Sequence, residues 1–448
     1  MDSGGIVIIN IPVDVEKIIN RLEERGFEAY AVGGCIRDSL MNMSPSDWDL
    51  CTSARPEQVI SCFQEYSVIE TGVKHGTVTV RLNSQSYEVT TYRIDGEYLD
   101  NRRPENVHFV KSLQDDLARR DFTINSMAYN SCKGLADYYN GCNDLKDGII
   151  RCVGKADERF KEDALRIIRA LRFASVLGFT IETETSESIH SNKDLLENIA
   201  KERINAELGK LLAGKGVKEV LRNYSDILTV MIPEIKPVIG FQQNNPHHKY
   251  DVWEHTIVAL ENSANNLIVK LAVLLHDIGK PECYTCDTKG NGHFYSHGEF
   301  GAMMTEKILR RLKFNHQTIN DVCQLVKYHD ADISESDKFI KKWLNKIGIA
   351  QFERLLLVKQ ADVIGQSDYL KDKKLRTIAS IQCNMKKILE EKQCFTLREL
   401  AVNGNDLMEI GICDGKKIGE ILNWLLEQVM EEQLENTKGI LIDTVKKM

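Results

Sequence analysis

The stretch that decides the fold is Gly33-Gly34-Cys35-Ile36-Arg37-Asp38, followed soon afterwards by Asp47-Trp48-Asp49. Residues i and i+2 of a strand point to the same face, so on a strand the two aspartates would project together. Carboxylates held in this way can share the divalent metals that serve in-line phosphoryl transfer. The glycines let backbone N–H groups approach phosphate oxygens, and Arg37 adds a fork of donors. The pattern predicts a site for a phosphorylated substrate, with Asp47 and Asp49 as metal ligands.

The composition indicates a globular protein of several domains. The chain has 448 residues, of which 42% are hydrophobic and 28% charged, and a chain of this length commonly divides into several cores. No apolar run reaches the roughly 18–20 residues that cross a bilayer, and the N-terminus is a poor signal peptide. The 12 cysteines lack framework spacing and are typical of reduced thiols, so we expect a cytoplasmic protein without a membrane segment.

The charge pattern bears on nucleic-acid binding. A net charge of −8 argues against broad non-specific binding, but it leaves local basic clusters open. The clusters are Arg166, Arg169 and Arg172; Lys338, Lys341 and Lys342; and Lys371, Lys373, Lys374 and Arg376. Each is either a solvated helix face or a local contact for RNA.

The apolar pattern changes near residue 157. Before it, an amphipathic helix around Asp14–Arg25 leads into an apolar strand at Ala29–Val32, and two β-branched strands flank the turn Asn83-Ser84-Gln85. From about Asp157 the period is helical almost to the C-terminus. The sequence therefore predicts an α+β multidomain chain, with a small mixed β-sheet head followed by all-α domains.

Other polar residues of the first part are candidates for the same site. Glu88, on the second strand of the hairpin, is either a third carboxylate of the metal cluster or an ordinary exposed residue. Arg120 and Asp121 suit phosphate and ribose recognition, because guanidinium groups donate to phosphate and a carboxylate accepts from a 2′-hydroxyl. The same segment could instead be a charged helix N-terminus, with Asp121 as its cap.

A helix is predicted over residues 162–172, on which Asp163 and Arg166 are three residues apart. Their side chains can then meet above one face and offer an acceptor beside donors, which could hydrogen-bond the edge of cytosine or adenine in place of a template. The alternative is a simple ion pair worth about 0.2–0.5 kcal/mol. Arg169 and Arg172 extend the basic row. The apolar residues of this helix are expected to pack in the core: Leu165, Ile168, Leu171 and Phe173.

These motifs resemble the class II tRNA nucleotidyltransferase/poly(A) polymerase family, and most of all its bacterial CCA-adding members with a C-terminal HD domain. Further matching segments follow in order: Arg119-Arg120-Asp121-Phe122-Thr123-Ile124-Asn125, Asp137…Gly141…Asp144-Leu145…Arg151, Glu162-Asp163-x-x-Arg166, and Glu202-Arg203…Glu207…Lys210-Leu211-Leu212. The resemblance implies a head with the DNA polymerase beta superfamily fold. It also implies template-independent addition of CCA to tRNA from CTP and ATP, by two-metal transfer with Mg²⁺ that releases pyrophosphate.

The resemblance assigns roles and boundaries by position. It implies that Asp47 and Asp49 are catalytic, and Glu88 is a third catalytic candidate by its position on the hairpin. The resemblance places seven residues at the nucleotide: Gly34, Arg37, Arg120, Asp163, Arg166, Arg169 and Arg172. Gly33 and Asp121 are added as nucleotide contacts by the phosphate and ribose arguments above. The expected domains are a nucleotidyltransferase head at 1–152, a neck for nucleotide selection and RNA binding at 153–232, an HD-like domain at 233–365 and an RNA-binding tail at 366–448. The segment 93–104 resembles the flexible loop of enzymes that add the terminal adenosine, and Thr71–Thr77 stands where poly(A) polymerases usually carry Arg-Arg-Phe.

A second set of candidate ligands lies further along the chain. It follows the order of the HD metal-dependent phosphohydrolase superfamily: His255, His276, Asp277 and Asp362. Imidazole and carboxylate suit a divalent metal, and His297 and His329 would permit a second one. Three alternatives remain open: a poly(A) polymerase or A-only enzyme, an HD phosphohydrolase whose head anchors RNA, and a non-catalytic RNA-binding protein.

Overall fold

The computed structural model describes residues 8–96 and 107–448. It divides into two compact units, the first ending at Pro233 and the second starting at Glu234. The division into four domains stays a prediction, and most of the loop predicted at 93–104 lies outside the described residues. In the part of the chain that the structure describes, no helix has the length and apolar character to span a membrane.

The first unit combines a sheet with surrounding helices. Its strands are β1 (Ala29–Val32), β2 (Leu50–Thr52), β3 (Ser67–Ile69), β4 (Thr77–Leu82), β5 (Gln85–Thr91), β6 (Arg93–Asp95), β7 (Val107–Phe109), β8 (Met127–Asn130), β9 (Gly134–Asp137), β10 (Ile149–Ile150) and β11 (Thr180–Ile181). Its helices are α1 (Val13–Glu24), α2 (Gly34–Leu40), α3 (Pro56–Cys62), α4 (Leu113–Ala118), α5 (Gly141–Asp147), α6 (Ala156–Glu162), α7 (Leu165–Leu177), α8 (Thr183–Asn192), α9 (Lys201–Leu212), α10 (Val217–Asn223) and α11 (Ser225–Met231). Short 3₁₀ helices lie at Val73–His75, Thr123–Asn125 and Lys193–Asn198, and another, Pro233–Val238, crosses the division between the units.

A seven-stranded sheet in the order β3-β4-β5-β2-β1-β8-β9 positions the site. β2 and β5 are parallel and the other neighbours are antiparallel. All four residues of β1 are buried, as their apolar sequence predicts for a strand covered on both faces. Because β1 and β2 run antiparallel, the end of β1 at Val32 lies beside Asp49, the residue just before β2.

Several local predictions are confirmed. The predicted helix near Asp14–Arg25 is α1, and the predicted strand at Ala29–Val32 is β1. The hairpin is present as well, but its turn has only two residues, because Gln85 belongs to β5 and pairs with Leu82. Asn83 and Ser84 both have positive φ, +46° and +66°, as a turn of the tight hairpin type requires.

The two aspartates do not lie within a strand, so that part of the prediction is wrong. β2 begins only at Leu50. The carbonyl of Asp49 still accepts a hydrogen bond from the N–H of Val32 at 2.9 Å. Beyond that bond β1 turns away at Gly33, where φ is +85°, and Asp47 therefore has no partner on β1.

The helix predicted over residues 162–172 is broken. α6 ends at Glu162, α7 begins at Leu165, and Asp163 between them is extended, with φ −133° and ψ 102°. The Oδ1 atom of Asp163 accepts a hydrogen bond from the N–H of Leu165 at 3.1 Å. An aspartate that bonds to the backbone in this way favours a helix start over a helix interior.

The second unit is mainly helical. Its helices are α12 (Val252–Glu261), α13 (Leu267–Leu275), α14 (His297–Arg311), α15 (His316–Tyr328), α16 (Asp337–Ile347), α17 (Ile349–Gly365), α18 (Lys371–Glu390), α19 (Gly404–Glu409), α20 (Gly415–Met430) and α21 (Lys438–Lys446), with a 3₁₀ helix at Pro281–Cys283. The prediction of an all-α remainder misses β11 and a small hairpin, β12 (Thr285–Cys286) and β13 (Gly292–His293). Two of the lysines considered for RNA are engaged by acids, since Lys341 pairs with Glu432 and Lys342 with Glu431.

Candidate active site

One cavity of about 540 Å³ in the first unit gathers most of the predicted nucleotide-site residues. Its walls come from the turn after β1, the segment before β2, the loop after α4, and α7. The predicted residues that line it are Gly33, Gly34, Arg37, Asp47, Asp49, Arg120, Asp121, Asp163, Arg166, Arg169 and Arg172. Glu88 is exposed and lies outside this lining. The aspartate pair and the Asp163–Arg166 pair therefore face the same space, which is of the size of small-molecule sites.

The acidic end of the cavity holds an excess of negative charge. Asp49 keeps some contact with solvent. The surrounding protein nevertheless removes part of its hydration, which raises its pKa above the usual value, and the charges of Asp47 and Glu88 raise that pKa further. The charge of Arg120 opposes this rise only in part. Clustered carboxylates are the ligands that a hard divalent cation prefers, and a cation would relieve their repulsion. The residues present therefore fit a divalent metal.

Two features require glycine at position 33: the backbone conformation and the closeness of Arg120. Its positive φ is a conformation that residues with a side chain rarely adopt. A Cβ atom at this position would also lie 3.0 Å from Nη1 of Arg120. Arg120 forms an ion pair with Asp116, and Arg37 donates a hydrogen bond from Nη1 to Oδ1 of Asn125 at 2.6 Å. The turn thus leaves room for two guanidinium groups beside the aspartates.

Asp163 and Arg166 do not pair with each other, so the simple ion pair considered above is absent. Oδ2 of Asp163 lies 3.0 Å from Nη2 of Arg203. Nη1 of Arg166 lies 2.8 Å from Oε2 of Glu162, and its Nη2 donates to the carbonyl of Arg119 at 2.9 Å. The helix break turns Asp163 towards α9, while both side chains still face the cavity.

Arg169 and Arg172 are also held by acids. Arg169 donates from Nε and Nη2 to Oδ2 of Asp121, at 2.9 and 2.6 Å, and Nε of Arg172 lies 2.7 Å from Oε2 of Glu207. Burial alone would raise the pKa of Asp121, but the charge of Arg169 and the hydrogen bonds from Asn125 and Arg169 outweigh it and hold that pKa well below the usual value. Asp121 is therefore an ion-paired carboxylate and not a helix cap.

Sequence reasoning assigned no role to the residues of α9 that hold these groups. Arg203 and Glu207 contact Asp163 and Arg172, and Lys210 lines the cavity. The three residues are separated by four and three positions, which places them on one face of a helix. That spacing is the signal that could have found them.

Phe173 combines the expected core role with a second one. It is buried and packs edge-on against Phe122, as predicted. It also lines the cavity, where the guanidinium carbon of Arg172 lies 3.8 Å from the ring centroid and that of Arg37 lies 5.1 Å from it. A ring face in contact with cations helps to hold the arginines in place.

Replacing Glu207 with glutamine is expected to lower the free energy of unfolding by about 1–2 kcal/mol, because it leaves the largely buried Arg172 without its partner charge. Urea denaturation would measure the change. Glu202→Gln is the matched control, since Glu202 lies on the same helix and is exposed. Equal effects of the two substitutions would contradict a stabilising role for the Glu207–Arg172 pair.

The predicted HD residues come together in the second unit. His255 Nε2 lies 3.2 Å from His276 Nε2 and 3.0 Å from Asp362 Oδ1. His276 Nε2 lies 3.1 Å from Asp277 Oδ2, and His297 and His329 approach Asp277 Oδ1 to 3.5 and 3.6 Å. Two sets have ligand atoms close enough to hold an ion: His255, His276 and Asp362; and His276, Asp277 and His329.

The orientation of these side chains also fits a metal. The Nδ1 atoms of His276, His297 and His329 each lie 2.7 Å from a backbone carbonyl oxygen, which leaves Nε2 for an ion. Among the described residues, no hydrogen-bond donor of suitable geometry reaches the two buried carboxylate oxygens of Asp277. Lys280 supplies a positive charge 2.7 Å from Oδ2. Buried carboxylate oxygens without donors are unfavourable unless a cation completes them.

Comparison with known proteins relates the whole chain to one group. A family model described as the poly A polymerase head domain matches residues 29–151. A second, for the probable RNA- and SrmB-binding site of polymerase A, matches residues 178–239. A third, for a putative tRNA nucleotidyltransferase domain 2, matches residues 301–445. The CCA-adding enzyme of Ligilactobacillus salivarius is 33% identical over 99% of this chain and 99% of its own. That of Lactobacillus helveticus is 34% identical over 94% and 93%.

Solved structures agree with this relationship. The crystal structure of the Bacillus stearothermophilus CCA-adding enzyme in complex with CTP has a TM-score of 0.72 and 27% identity, and it covers 96% of both chains. The Thermotoga maritima CCA-adding enzyme complexed with tRNA has the same fold, with a TM-score of 0.62, 20% identity and coverage of 98% and 96%. By its full-length identity to such enzymes, the chain belongs to the family of CCA-adding tRNA nucleotidyltransferases.

Proposed function

We propose that the cavity of the first unit transfers nucleotides from CTP and ATP to the 3′ end of tRNA and builds the CCA terminus without a template. The observation that carries the proposal is that the acidic pair, the arginines and the Asp163–Arg166 pair line one cavity. We therefore expect a single nucleoside triphosphate to reach all three groups. The CCA-adding relatives span nearly the whole chain, and one related structure holds CTP. We place this activity in the cytoplasm.

Asp47 and Asp49 would hold the divalent metal, for which we propose Mg²⁺. When bound, such a metal polarises phosphoryl oxygens and favours loss of a proton from an attacking hydroxyl. Arg37 and Arg120 donate hydrogen bonds to triphosphate oxygens, a task that suits guanidinium groups. Glu88 supports the acidic end through its charge beside Asp49.

Asp163 and Arg166 would select the base. The carboxylate accepts from an exocyclic amine and the guanidinium donates to ring acceptors, which matches CTP and ATP. A wrong base leaves these groups unpaired, at about 1–3 kcal/mol for each lost bond. Arg203 holds Asp163 in this structure, and a carboxylate has enough lone pairs to accept from Arg203 and from the incoming base together. Gly33, Gly34, Asp121, Arg169 and Arg172 would complete the nucleotide contacts.

The test is an extension assay with tRNA that ends at the discriminator base. Labelled CTP and ATP are supplied singly and together, and the product ends are sequenced. CTP alone should give two added cytidines, and both nucleotides should give CCA. Long adenosine tails from ATP alone would instead indicate a poly(A) polymerase, and a single adenosine added only to tRNA that already ends in CC would indicate an A-only enzyme.

A specific observation favours a second activity. The two overlapping His/Asp sets around Asp277 suit a divalent metal, and we propose that this site in the second unit is a phosphohydrolase. A bound metal there would supply an activated water for attack on phosphorus. The alternative in which the first unit serves only as an RNA anchor is less favoured, because its cavity brings the acidic pair, the arginines and the Asp163–Arg166 pair together.

Combined replacement of His276 and Asp277 by alanine should reduce phosphatase turnover at least about a hundredfold, because it removes ligands from both sets. CCA addition should stay within about twofold of the parent. Turnover of p-nitrophenyl phosphate and the extension assay measure the two activities. His316→Ala serves as the control, since His316 is an exposed residue at the start of α15. Phosphatase activity that survives in the double variant would place it elsewhere in the chain.

A further inference from the structure

The loop after α4 carries two of the arginines that line the nucleotide cavity, Arg119 and Arg120. Both form ion pairs with Asp116, an acidic residue of α4 that has no part in the function proposed above. The side chain of Asp116 is fully buried, and it is not among the described residues that line the cavity. Asp116 is therefore a buried anion that contacts two cations of the cavity from the protein side.

The two oxygens of the Asp116 carboxylate have different partners. Oδ1 accepts hydrogen bonds from Nε and Nη2 of Arg119, at 3.0 and 2.9 Å, and from the N–H of Arg93 at 3.2 Å. Oδ2 lies 3.4 Å from Nη2 of Arg120. Because Arg93 is the first residue of β6, the carboxylate is itself anchored to the backbone and can fix the orientation of both arginines.

Through Arg120, the anion acts on the phosphate end of the cavity. Nη1 of Arg120 lies at the Gly33 turn, where a Cβ atom would be 3.0 Å from it. Loss of hydration alone would lower the pKa of this guanidinium, but the charges around it, of which Asp116 has the largest effect, raise that pKa above the usual value. Because Asp116 engages Nη2, Nη1 is held in a fixed place where it can donate to a phosphate oxygen.

Through Arg119, the same anion acts on the base end of the cavity. The carbonyl of Arg119 accepts a hydrogen bond from Nη2 of Arg166 at 2.9 Å. Since Nε and Nη2 of Arg119 both donate to Asp116, the ion pair restrains the residue whose carbonyl holds Arg166. Asp116 is thus connected to the arginine that is proposed to read the base.

Stability alone does not account for an acid at this position. Asp116 lies on α4 between Leu113 and Leu117, which are buried in an apolar cluster with Tyr92 and Cys51. A buried carboxylate is costly even when it is paired, and apolar residues of similar size in place of a buried ion pair are often neutral or stabilising. The acid at position 116 therefore points to a role in the neighbouring site.

We propose that Asp116 is a positioning residue for nucleotide transfer, which places Arg120 at the triphosphate and, through Arg119, Arg166 at the base. The inference rests on the function proposed above and adds to it a residue that contacts neither the nucleotide nor the metal. One anion then sets the two ends of the cavity together. Its loss should weaken nucleotide binding and relax base choice at the same time, while the acidic pair stays in place.

Asp116→Asn keeps the size of the side chain and removes its charge. In the extension assay with the full-length protein, we expect the KM for CTP to rise at least about tenfold and the preference for CTP over UTP, as the ratio of kcat/KM values, to fall at least about threefold. The value of kcat should fall less than about threefold, because Asp47 and Asp49 are unchanged. Asp115→Asn is the matched control, since Asp115 is the exposed neighbour on α4, and its constants should stay within about twofold of the parent.

A loss of kcat with unchanged KM and unchanged preference for CTP would show a merely structural role and overturn the inference, as would parental values of all three. If circular dichroism shows that Asp116→Asn does not fold, Asp116→Glu is the test, because it keeps the charge and lengthens the side chain by a methylene group. A raised KM with a lower preference for CTP in the folded Asp116→Glu variant supports positioning, and parental values overturn it. Failure of the parent protein to incorporate CTP would instead overturn the proposed function.

Discussion

Replacing Asp49 with asparagine is expected to reduce nucleotide incorporation at least about a thousandfold. The amide keeps the shape of the side chain but removes the charge that would hold the metal, and metal stabilisation of the transition state amounts to several kcal/mol, at about 1.4 kcal/mol for each factor of ten. Asp47→Asn should have a similar effect. Single-turnover extension of tRNA lacking its terminus, with labelled CTP, measures the loss.

The accompanying measurement is tRNA affinity, which should change less than about twofold. Both aspartates are exposed, so we expect the two substitutions to leave the packing of the core unchanged. Asp147→Asn is the matched control, because Asp147 is an exposed aspartate at the end of α5. A parallel loss of tRNA binding and incorporation would show that Asp49 has a structural role instead of a catalytic one.

Asp163→Ala is expected to relax nucleotide choice about 10–100-fold, which corresponds to one or two lost hydrogen bonds to the base. The overall rate should fall less than the selectivity, because the acidic pair remains intact. Incorporation of each of the four nucleoside triphosphates, measured as kcat/KM, provides the ratio. Asp194→Ala, at an exposed position of the first unit, is the control. Unchanged selectivity would remove Asp163 from base recognition.

Substitutions of Arg203 test whether this residue positions Asp163 for base recognition. It orients Asp163 without being expected to touch the base, so Arg203→Ala should lower selectivity less than Asp163→Ala and raise KM more than it lowers kcat. Arg203→Lys should restore part of the loss because it keeps the charge. Equal selectivity losses for the Arg203→Ala and Asp163→Ala variants would show that the base needs both residues directly.

The elements that could be predicted from the sequence depend on short-range rules. The strand Ala29–Val32 follows from its apolar residues, and the hairpin follows from Asn83 and Ser84, which tolerate positive φ. The gathering of Asp47 and Asp49 with the arginines was predicted on the glycine turn and on family resemblance. The assignment of the two aspartates to a strand was wrong, because the turn at Gly33 ends the pairing with β1 at Asp49.

The remaining features depend on contacts between distant residues. Helical periodicity continues on both sides of Asp163 and predicts one unbroken helix. The break at Asp163, where its side chain accepts a hydrogen bond from the N–H of Leu165, is not visible in that period. Its partner Arg203 is 40 residues away. The pairing of Arg172 with Glu207 likewise requires α9 to pack beside α7, which no local pattern reveals.

Acidic residues pair with the arginines of the cavity in the first unit. These ion pairs influence how the affinity of the cavity for nucleotides responds to ionic strength. Asp121, Glu207 and Glu162 already neutralise Arg169, Arg172 and Arg166 in this structure. An entering nucleotide therefore meets arginines whose charges are already paired inside the protein, and it releases fewer counterions than the same arginines would release from open solvent. The affinity for CTP should accordingly weaken only gently as salt is added, even though the pocket is rich in cationic side chains.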